Sequence, residues 1–407
     1  MKYKETVLGR IPESWDVLPI KEVTRVVTDY VANGSFASLA ENVIYRSEED
    51  VAVIIRLVDY NRDFHGEFVF IDESAYEFLG KSKLFGGEII ISNVGANVGT
   101  VFRCPKLPYK MSLAPNAIMI QFIGNDDFYF HWLRSHAGQQ MLKSLVTGSA
   151  QPKFNKTNFR AMSVPVPPLE TQDKIASILN ALDDKIELNK KINKNLEEQS
   201  KELFKNWFID FSPFTSDSNL PENWRIGTVG DIVQLHDAKR IPLSGSERDK
   251  MQKIYPYYGA TSLMDYVENY LFDGIYLLLG EDGTVVDNLG FPILQYIHGK
   301  FWVNNHAHII TGKAGFSVEA LYLFFSLTNI KAIVTGAVQQ KVSQQNLKKV
   351  PAIIPNEDVL RAFDKLIQPI FAQIRNLRDE NARLANLRDC LLPKLMSGEL
   401  NVSDIDL

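Results

Sequence analysis

The chain repeats itself, and that constrains its fold more than any other feature. Ile11-Pro12-Glu13-Ser14-Trp15 returns as Leu220-Pro221-Glu222-Asn223-Trp224, 209 residues later. Val146-Thr147-Gly148-Ser149-Ala150-Gln151-Pro152-Lys153 returns as Val334-Thr335-Gly336-Ala337-Val338-Gln339-Gln340-Lys341, at an offset of 188. The landmarks keep their order while the offset shrinks. Each copy therefore has constant ends and a middle free to vary in length. A chain built this way is expected to form related units, each with its own core. Its 407 residues leave room for them.

A long amphipathic pattern closes each copy. In the first, Ile175, Leu179, Leu182, Ile186, Asn189, Asn193, Leu196, Ser200, Leu203 and Trp207 alternate steps of four and three. The 188 offset gives Phe363, Ile367, Ile370, Ile374, Leu377, Asn381, Leu384, Arg388, Leu391 and Leu395. A sustained 3.5-residue period is the seam of a coiled coil. Ile175 to Trp207 spans roughly 50 Å as a helix. One small domain cannot cover that length, so the two helices are expected to pair with each other. In an antiparallel pair only near-central equivalents meet, which predicts a contact between Asn193 and Asn381. Pro369 lies inside the second seam and predicts a kink or a delayed start. An ordinary amphipathic helix lying on its own domain is the alternative.

Strand-like runs at Glu88–Ser92, Ala117–Phe122, Gly274–Leu279 and His306–Thr311 give the rest a mixed α/β character. Helical stretches are expected at about 128–145 and 318–334. The expected architecture is α/β (mixed α+β), with two globular domains separated by two long helices in an antiparallel coiled coil. It is an internal pseudo-twofold repeat. The expected boundaries are 1–168 for the first domain, 169–211 for the first helix and 212–355 for the second domain. The second helix takes 356–400 and a C-terminal tail 401–407.

Hydrophobic residues make up 45% and charged residues 23%, as in globular proteins. Apolar runs reach about five residues where a membrane span needs about 20, and the N-terminus lacks the apolar stretch of a secretory signal. Cys104 and Cys390 form neither a disulfide framework nor a zinc spacing. The chain reads as cytoplasmic, without a membrane partner. Chemistry-bearing motifs are missing. Gly80-Lys81-Ser82 lacks the earlier glycine of a phosphate loop, and Gly95 and Gly99 lack dinucleotide spacing. His306 and His308 share a strand face, but no third and fourth ligand is spaced for a metal. No Gly-x-Ser-x-Gly or His-Glu-x-x-His occurs. No catalysis, metal or cofactor is expected of this chain.

Net charge is −5, from 44 Lys+Arg and 49 Asp+Glu, which taken alone disfavours a nucleic-acid binder. The distribution reverses that reading. No acid occurs from Phe128 to Leu169, nor from Ala320 to Asn356. Both gaps precede a long helix, and their polar residues coincide at the 188 offset. Lys143 matches Lys331, Gln151 matches Gln339, and Lys153 matches Lys341. Asn158 matches Asn346, and Arg160 matches Lys348. A polyanion binder needs cations on phosphates and acids kept away. Gln and Asn suit adenine edges, and Lys or Arg suit guanine. These ten residues are the candidate DNA-binding set. A structural repeat paired with acids elsewhere, or a protein-binding face, is the alternative. Lys239, Arg240, Arg248, Lys250 and Lys253 form a second basic cluster, expected on an exposed loop and interrupted by Glu247 and Asp249.

Nearly the whole chain resembles the specificity subunits of type I restriction–modification systems. The resemblance rests on the Ile-Pro-Glu-Ser-Trp and Leu-Pro-Glu-Asn-Trp openings and on Thr147–Phe154. It also rests on Val164-Pro165-Val166-Pro167-Pro168-Leu169-Glu170-Thr171-Gln172 and on Leu391 to Leu400. Pro355-Asn356-Glu357-Asp358 departs from the pattern where the second helix begins. The resemblance implies two target recognition domains, each reading half of a split double-stranded DNA site across a coiled-coil spacer. It implies docking of two methyltransferase subunits, with restriction (motor/nuclease) subunits joining through that core. Methyl donor and ATP would belong to those partners. An adaptor that bridges proteins and never touches DNA is the alternative.

Overall fold

A computed structural model describes residues 2–215, 219–336, 339–403 and 405. Ala337 and Val338 of the repeat, and 404, 406 and 407 of the tail, lie outside them. The chain forms two compact units, Met1–Ile186 with Ala382–Leu407, and Glu187–Asn381. Each unit contains one globular domain and a portion of each long helix.

In the first unit two four-stranded sheets carry the domain. One runs in the order Thr24–Asp29, Ala117–Phe122, Ile89–Ser92, Val101–Arg103. The other runs Val69–Ile71, Ala52–Ile55, Lys110–Leu113, Lys83–Leu84. Ile89, Ile91, Ile118 and Ile120 face a core that also receives Ile175 and Leu179 of the first long helix and Leu395 of the second. The helix expected over 128–145 is two helices, Asp126–Arg134 and His136–Ser144. Ser135 breaks it, because its Oγ accepts from the Gly138 amide and caps the second piece. Gly80-Lys81-Ser82 follows the helix Glu73–Phe78 and precedes a strand, the reverse of the order a phosphate loop requires.

In the second unit one six-stranded sheet runs Val233–Leu235, Ala307–Gly312, Phe272–Gly280, Leu294–Val303, Tyr255–Tyr258, Leu263–Val267. Its first four strands match the Thr24–Arg103 sheet of the first unit in order. The constant ends are equivalent too. Asp16–Pro19 pairs with Ser163–Val166, and Arg225–Thr228 pairs with Pro351–Ile354, both antiparallel. Between these matched ends the middles differ, as the shrinking offset predicts.

The repeated tryptophans explain themselves here. Trp15 is buried beside Gly398, just past the second long helix, where an added Cβ would crowd its ring. Trp224 packs on Phe208 and Phe211, at the end of the first long helix, with ring centroids 5.8 and 5.6 Å away. The opening motif of each copy seats a helix end.

The long helices run Leu169–Phe208 and Glu357–Met396. Within each unit their segments lie antiparallel. In the first unit Asp183 Oδ1 meets Arg388 Nη1 at 2.7 Å while Lys174 Nζ donates to the Ser403 carbonyl. In the second, Glu197 Oε1 meets Arg378 Nη2 at 2.8 Å, and Phe204 stacks edge-on against Phe363. The expected asparagine contact is off by one turn: Asn189, not Asn193, donates to Asn381 Oδ1. The period also loosens near the helix ends. Phe204, Phe208 and Phe371 are buried although the 3.5-residue count omits them. There the helices pack on domain core, which favours the 3.6 period of a straight helix.

Pro369 does not delay the second helix. Asn356 Oδ1 accepts from the Val359 amide as a cap, and the helix continues through the proline. Pro369 and Lys365 are both exposed, so water can satisfy the carbonyl that loses its donor. Among the described residues, no helix is long and apolar enough to cross a membrane.

Candidate nucleic-acid interface

Each acid-free segment folds into the same loop. Thr147 and Lys153 exchange backbone hydrogen bonds of 2.8 and 2.9 Å, and Thr335 and Lys341 do so at 2.9 and 2.8 Å. Both loops turn on a glycine with positive φ, +85° at Gly148 and +88° at Gly336. At Gly336 a side chain would strike the Gln339 carbonyl oxygen, so the repeated glycine is dictated by the turn. A second turn braces each loop. Gly95 N–H donates to the Pro152 carbonyl at 2.9 Å, and Gly283 N–H to the Gln340 carbonyl at 3.0 Å. Gly95 and Gly99 thus serve turns after the strand Ile89–Ser92, with φ of +102° and +92°.

The candidate residues fall on or beside these loops. Lys143 ends the helix His136–Ser144, Gln151 and Lys153 lie on the loop, and Asn158 and Arg160 follow on the helix Lys156–Ala161. All five are exposed. In the second unit Lys331 begins a 3-10 turn, Gln339 and Lys341 lie on the loop, and Asn346 and Lys348 follow. Lys331 and Gln339 line one open cleft of about 800 Å³ together with Thr284 and Asn288. Asn346 is less available, since its Nδ2 lies 3.4 Å from the Ile333 carbonyl. Among the described residues, Lys143, Lys153, Arg160, Lys331 and Lys348 have no carboxylate within ion-pair reach. Lys341 is the exception. Its Nζ is 3.9 Å from Glu281 Oε1, with half the side chain exposed.

That glutamate belongs to a network the sequence did not announce. Arg240 Nη1 donates to Glu281 Oε2 at 2.6 Å and to the Ala307 carbonyl at 2.8 Å. His308, wholly buried, meets Asp237 Oδ2 through Nδ1 at 2.6 Å. Burial pushes the Asp237 carboxyl up, but hydrogen bonds from His308 and Ile309 and the charge of Arg240 outweigh it and hold it below the usual carboxylate range. Asp237, Glu281 and His308 are close enough to suggest a metal site. Arg240 and His308 already engage both carboxylates. His306 lies apart, half exposed and 3.5 Å from Asp282. The expected exposed basic cluster is thus largely neutralised. Arg240 is committed to this network, and Arg248 and Lys253 pair with Asp265 at 3.2 and 2.9 Å. The acids that neutralise it, Glu281 and Asp265, are not the interleaved Glu247 and Asp249 but lie further along the chain.

Comparison with known proteins fits the duplicated geometry. The family model described as type I restriction modification DNA specificity domain matches twice, over residues 12–198 and 221–385. The type I restriction enzyme MjaIX specificity subunit of Methanocaldococcus jannaschii is 26% identical over 99% of this chain and 98% of its own length. The HindI specificity subunit of Haemophilus influenzae is 23% identical over 71% of this chain and 80% of its own. The S subunit of a type I restriction–modification system from M. genitalium shares the fold, with a TM-score of 0.56 at 16% identity. It covers 97% of this chain and 99% of that one.

Proposed function

The chain belongs to the type I restriction–modification DNA specificity family, and on that premise we propose that it reads a bipartite, asymmetric double-stranded DNA site for a methyltransferase and restriction complex. Each domain reads one half-site through the loop before its long helix. Two similar but unequal readers in one chain give two different half-sites with unread base pairs between them. The paired long helices are the spacer, and the gap follows their length, because half-site separation on B-DNA is geometric. The chain itself does no chemistry. It presents DNA to two methyltransferase subunits, to which the restriction subunits attach, and it works in the cytoplasm.

One observation carries this reading. The loops 147–153 and 335–341 share backbone hydrogen bonds, a positive-φ glycine and exposed cations in an acid-free segment. A duplicated surface with that charge pattern suits two stretches of one polyanion. Lys143, Gln151, Lys153, Asn158, Arg160, Lys331, Gln339, Lys341, Asn346 and Lys348 are the proposed contact set. The test is a mobility-shift titration of duplex DNA with the chain and its methyltransferase partner assembled. A retarded complex with steep salt dependence supports the reading. A stable protein complex that never shifts DNA would make the chain an adaptor.

A further inference from the structure

One cavity of the first domain shares a wall with the turn that braces the loop 147–153. Its volume is about 410 Å³, within the range of small-molecule sites. Ile54, Val69 and buried Phe102 make an apolar interior, and half-exposed Tyr45 adds a second aromatic ring. Ser92, Val94 and Asn116 line it as well. Val94 pairs with Lys153 in an isolated bridge, and the next residue, Gly95, donates its N–H to the Pro152 carbonyl at 2.9 Å. None of the residues that line the cavity belongs to the contact set proposed above.

Tyr45, Arg56 and Val69 also line an adjoining open cleft of about 470 Å³. Arg46, Arg62 and Glu67 line the same cleft, so three guanidinium groups stand there against one carboxylate. Arg46 is committed to Asp50 and Asp72, at 3.3 and 3.1 Å. Arg56 is braced rather than consumed. Buried Asp59 accepts from its Nε at 3.0 Å and from its Nη2 at 2.6 Å, and its Nη1 has no partner among the described residues. Arg62 has no ion pair among them. Asn116 has φ of +67°, and its side-chain amide is also without a partner among the described residues. The turn that carries Arg62 holds two successive non-glycine residues, Asp63 and Phe64, at φ of +50° and +56°. It sets Phe64 against Phe102, with ring centroids 6.5 Å apart. Left-handed backbone at a bulky residue costs energy, and such strain collects at ligand clamps.

We propose that the cavity and its cleft form a nucleotide site, in which the apolar cavity takes one flat base and the arginine-lined cleft takes its phosphate. An aromatic ring stacks on any base, which is the part Tyr45 plays. The Asn116 amide offers a donor and an acceptor to a base edge. Arg56 and Arg62 present planar sets of N–H donors to phosphate oxygens. The nucleotide has two sources, one free in solution and one turned out of a bound duplex, and the same chemistry recognises both. Occupancy bears on the loop, because Val94 lines the cavity and pairs with Lys153. The site rests on the cavity alone, whereas a duplex source rests also on the proposed function.

The experiment uses the full chain bound to its methyltransferase partner. In one arm the four deoxynucleoside monophosphates and the matching nucleosides are titrated against wild type, Tyr45→Ala and Arg62→Ala. Both side chains are exposed, so neither change threatens the fold. Tyr45→Ala should weaken nucleotide and nucleoside alike, about tenfold, through the loss of one stacking contact. Arg62→Ala should weaken the monophosphate severalfold and leave the nucleoside unchanged, a split that general damage to the domain would not give. In the other arm, duplexes of the site mapped by methylation carry halogenated photoreactive bases at successive positions, and crosslinked residues are identified. A crosslink to Tyr45 supports the site and assigns its occupant to the duplex. Monophosphate binding with the expected split, and no Tyr45 crosslink, supports the site and assigns a free nucleotide. Absence of both signatures overturns the proposal, and crosslinks to 147–154 would then leave the loop as the reader of DNA. Monophosphate binding with the split, and no crosslink anywhere in the first domain, keeps the site and overturns loop reading.

Discussion

Asn189 Nδ2 donates to Asn381 Oδ1 at 2.9 Å across the two long helices, and to Glu380 Oε2 at 2.8 Å. Antiparallel register then sets Asn193, one turn on, opposite Leu377, one turn back. The 188 offset makes Leu377 the counterpart of Asn189 and Asn381 the counterpart of Asn193. The duplicated seam has therefore kept only one of two equivalent amide contacts. Among the described residues, buried Asn193 Oδ1 has no hydrogen-bond partner, and neither has Asn189 Oδ1, although Asn189 Nδ2 donates to both Asn381 and Glu380.

Seam stability should respond with opposite signs. Asn193→Leu removes an unsatisfied buried amide and should stabilise by about 1 kcal/mol. Asn189→Leu deletes the donor to Asn381 and should cost about 1–2 kcal/mol. Thermal unfolding of the two variants beside wild type checks both. Equal destabilisation would mean Asn193 has a role this register does not contain.

The matched lysines should contribute unequally to DNA binding. Lys153→Ala in the assembled complex should reduce the logarithmic salt slope by about one phosphate. Lys341→Ala should reduce it by less, because Glu281 already sits 3.9 Å from its ammonium. Glu281 is tied to Arg240 and cannot simply be removed without disturbing the domain. Binding isotherms across salt concentrations read both slopes, and unaltered slopes in both variants would place the loops away from DNA.

Acid should weaken the first unit through His131. Burial holds its imidazole below the usual histidine range, outweighing its hydrogen bond to Asn180. A histidine depressed in the folded state contributes stability above its unfolded value near 6.5, and loses it as pH falls through the folded value. Unfolding temperature should drop on acidification from neutral pH, and His131→Leu should flatten that limb. An unchanged limb would show the ring already charged at neutrality.

The turn glycine of the second loop should matter for binding and hardly for folding. Gly336 is exposed, with φ of +88°, and a Cβ would meet the Gln339 carbonyl. Gly336→Ala forces the loop open at a cost of about 1–3 kcal/mol, met locally. DNA affinity should fall about tenfold or more while the unfolding temperature stays within a few degrees. Loss of the fold instead would mark the loop as structural.

Much of this was legible in the chain. The strand Ala117–Phe122 coincides with its apolar run, and both long helices follow their seams. These features are local, set by periodicity and turn residues. Phe204, Phe208 and Phe371 were illegible because their burial depends on what the helix ends pack against. The loops were found through matched cations in acid-free windows. The network behind the second loop was not, because Asp237, Glu281 and His308 are distant in sequence and meet only through strand pairing. The Asn189–Asn381 contact escaped for a similar reason: near-central equivalence places the register only to within a turn.

The most direct test of two half-site readers in one chain is methylome sequencing of a host carrying the chain and its partners, repeated with substitutions confined to one loop. The account predicts a bipartite, asymmetric motif with unspecified base pairs between its halves. Changes at Gln151 and Lys153 should alter one half only, and changes at Gln339 and Lys341 the other. A continuous motif, or a single-loop substitution that alters both halves, would contradict it.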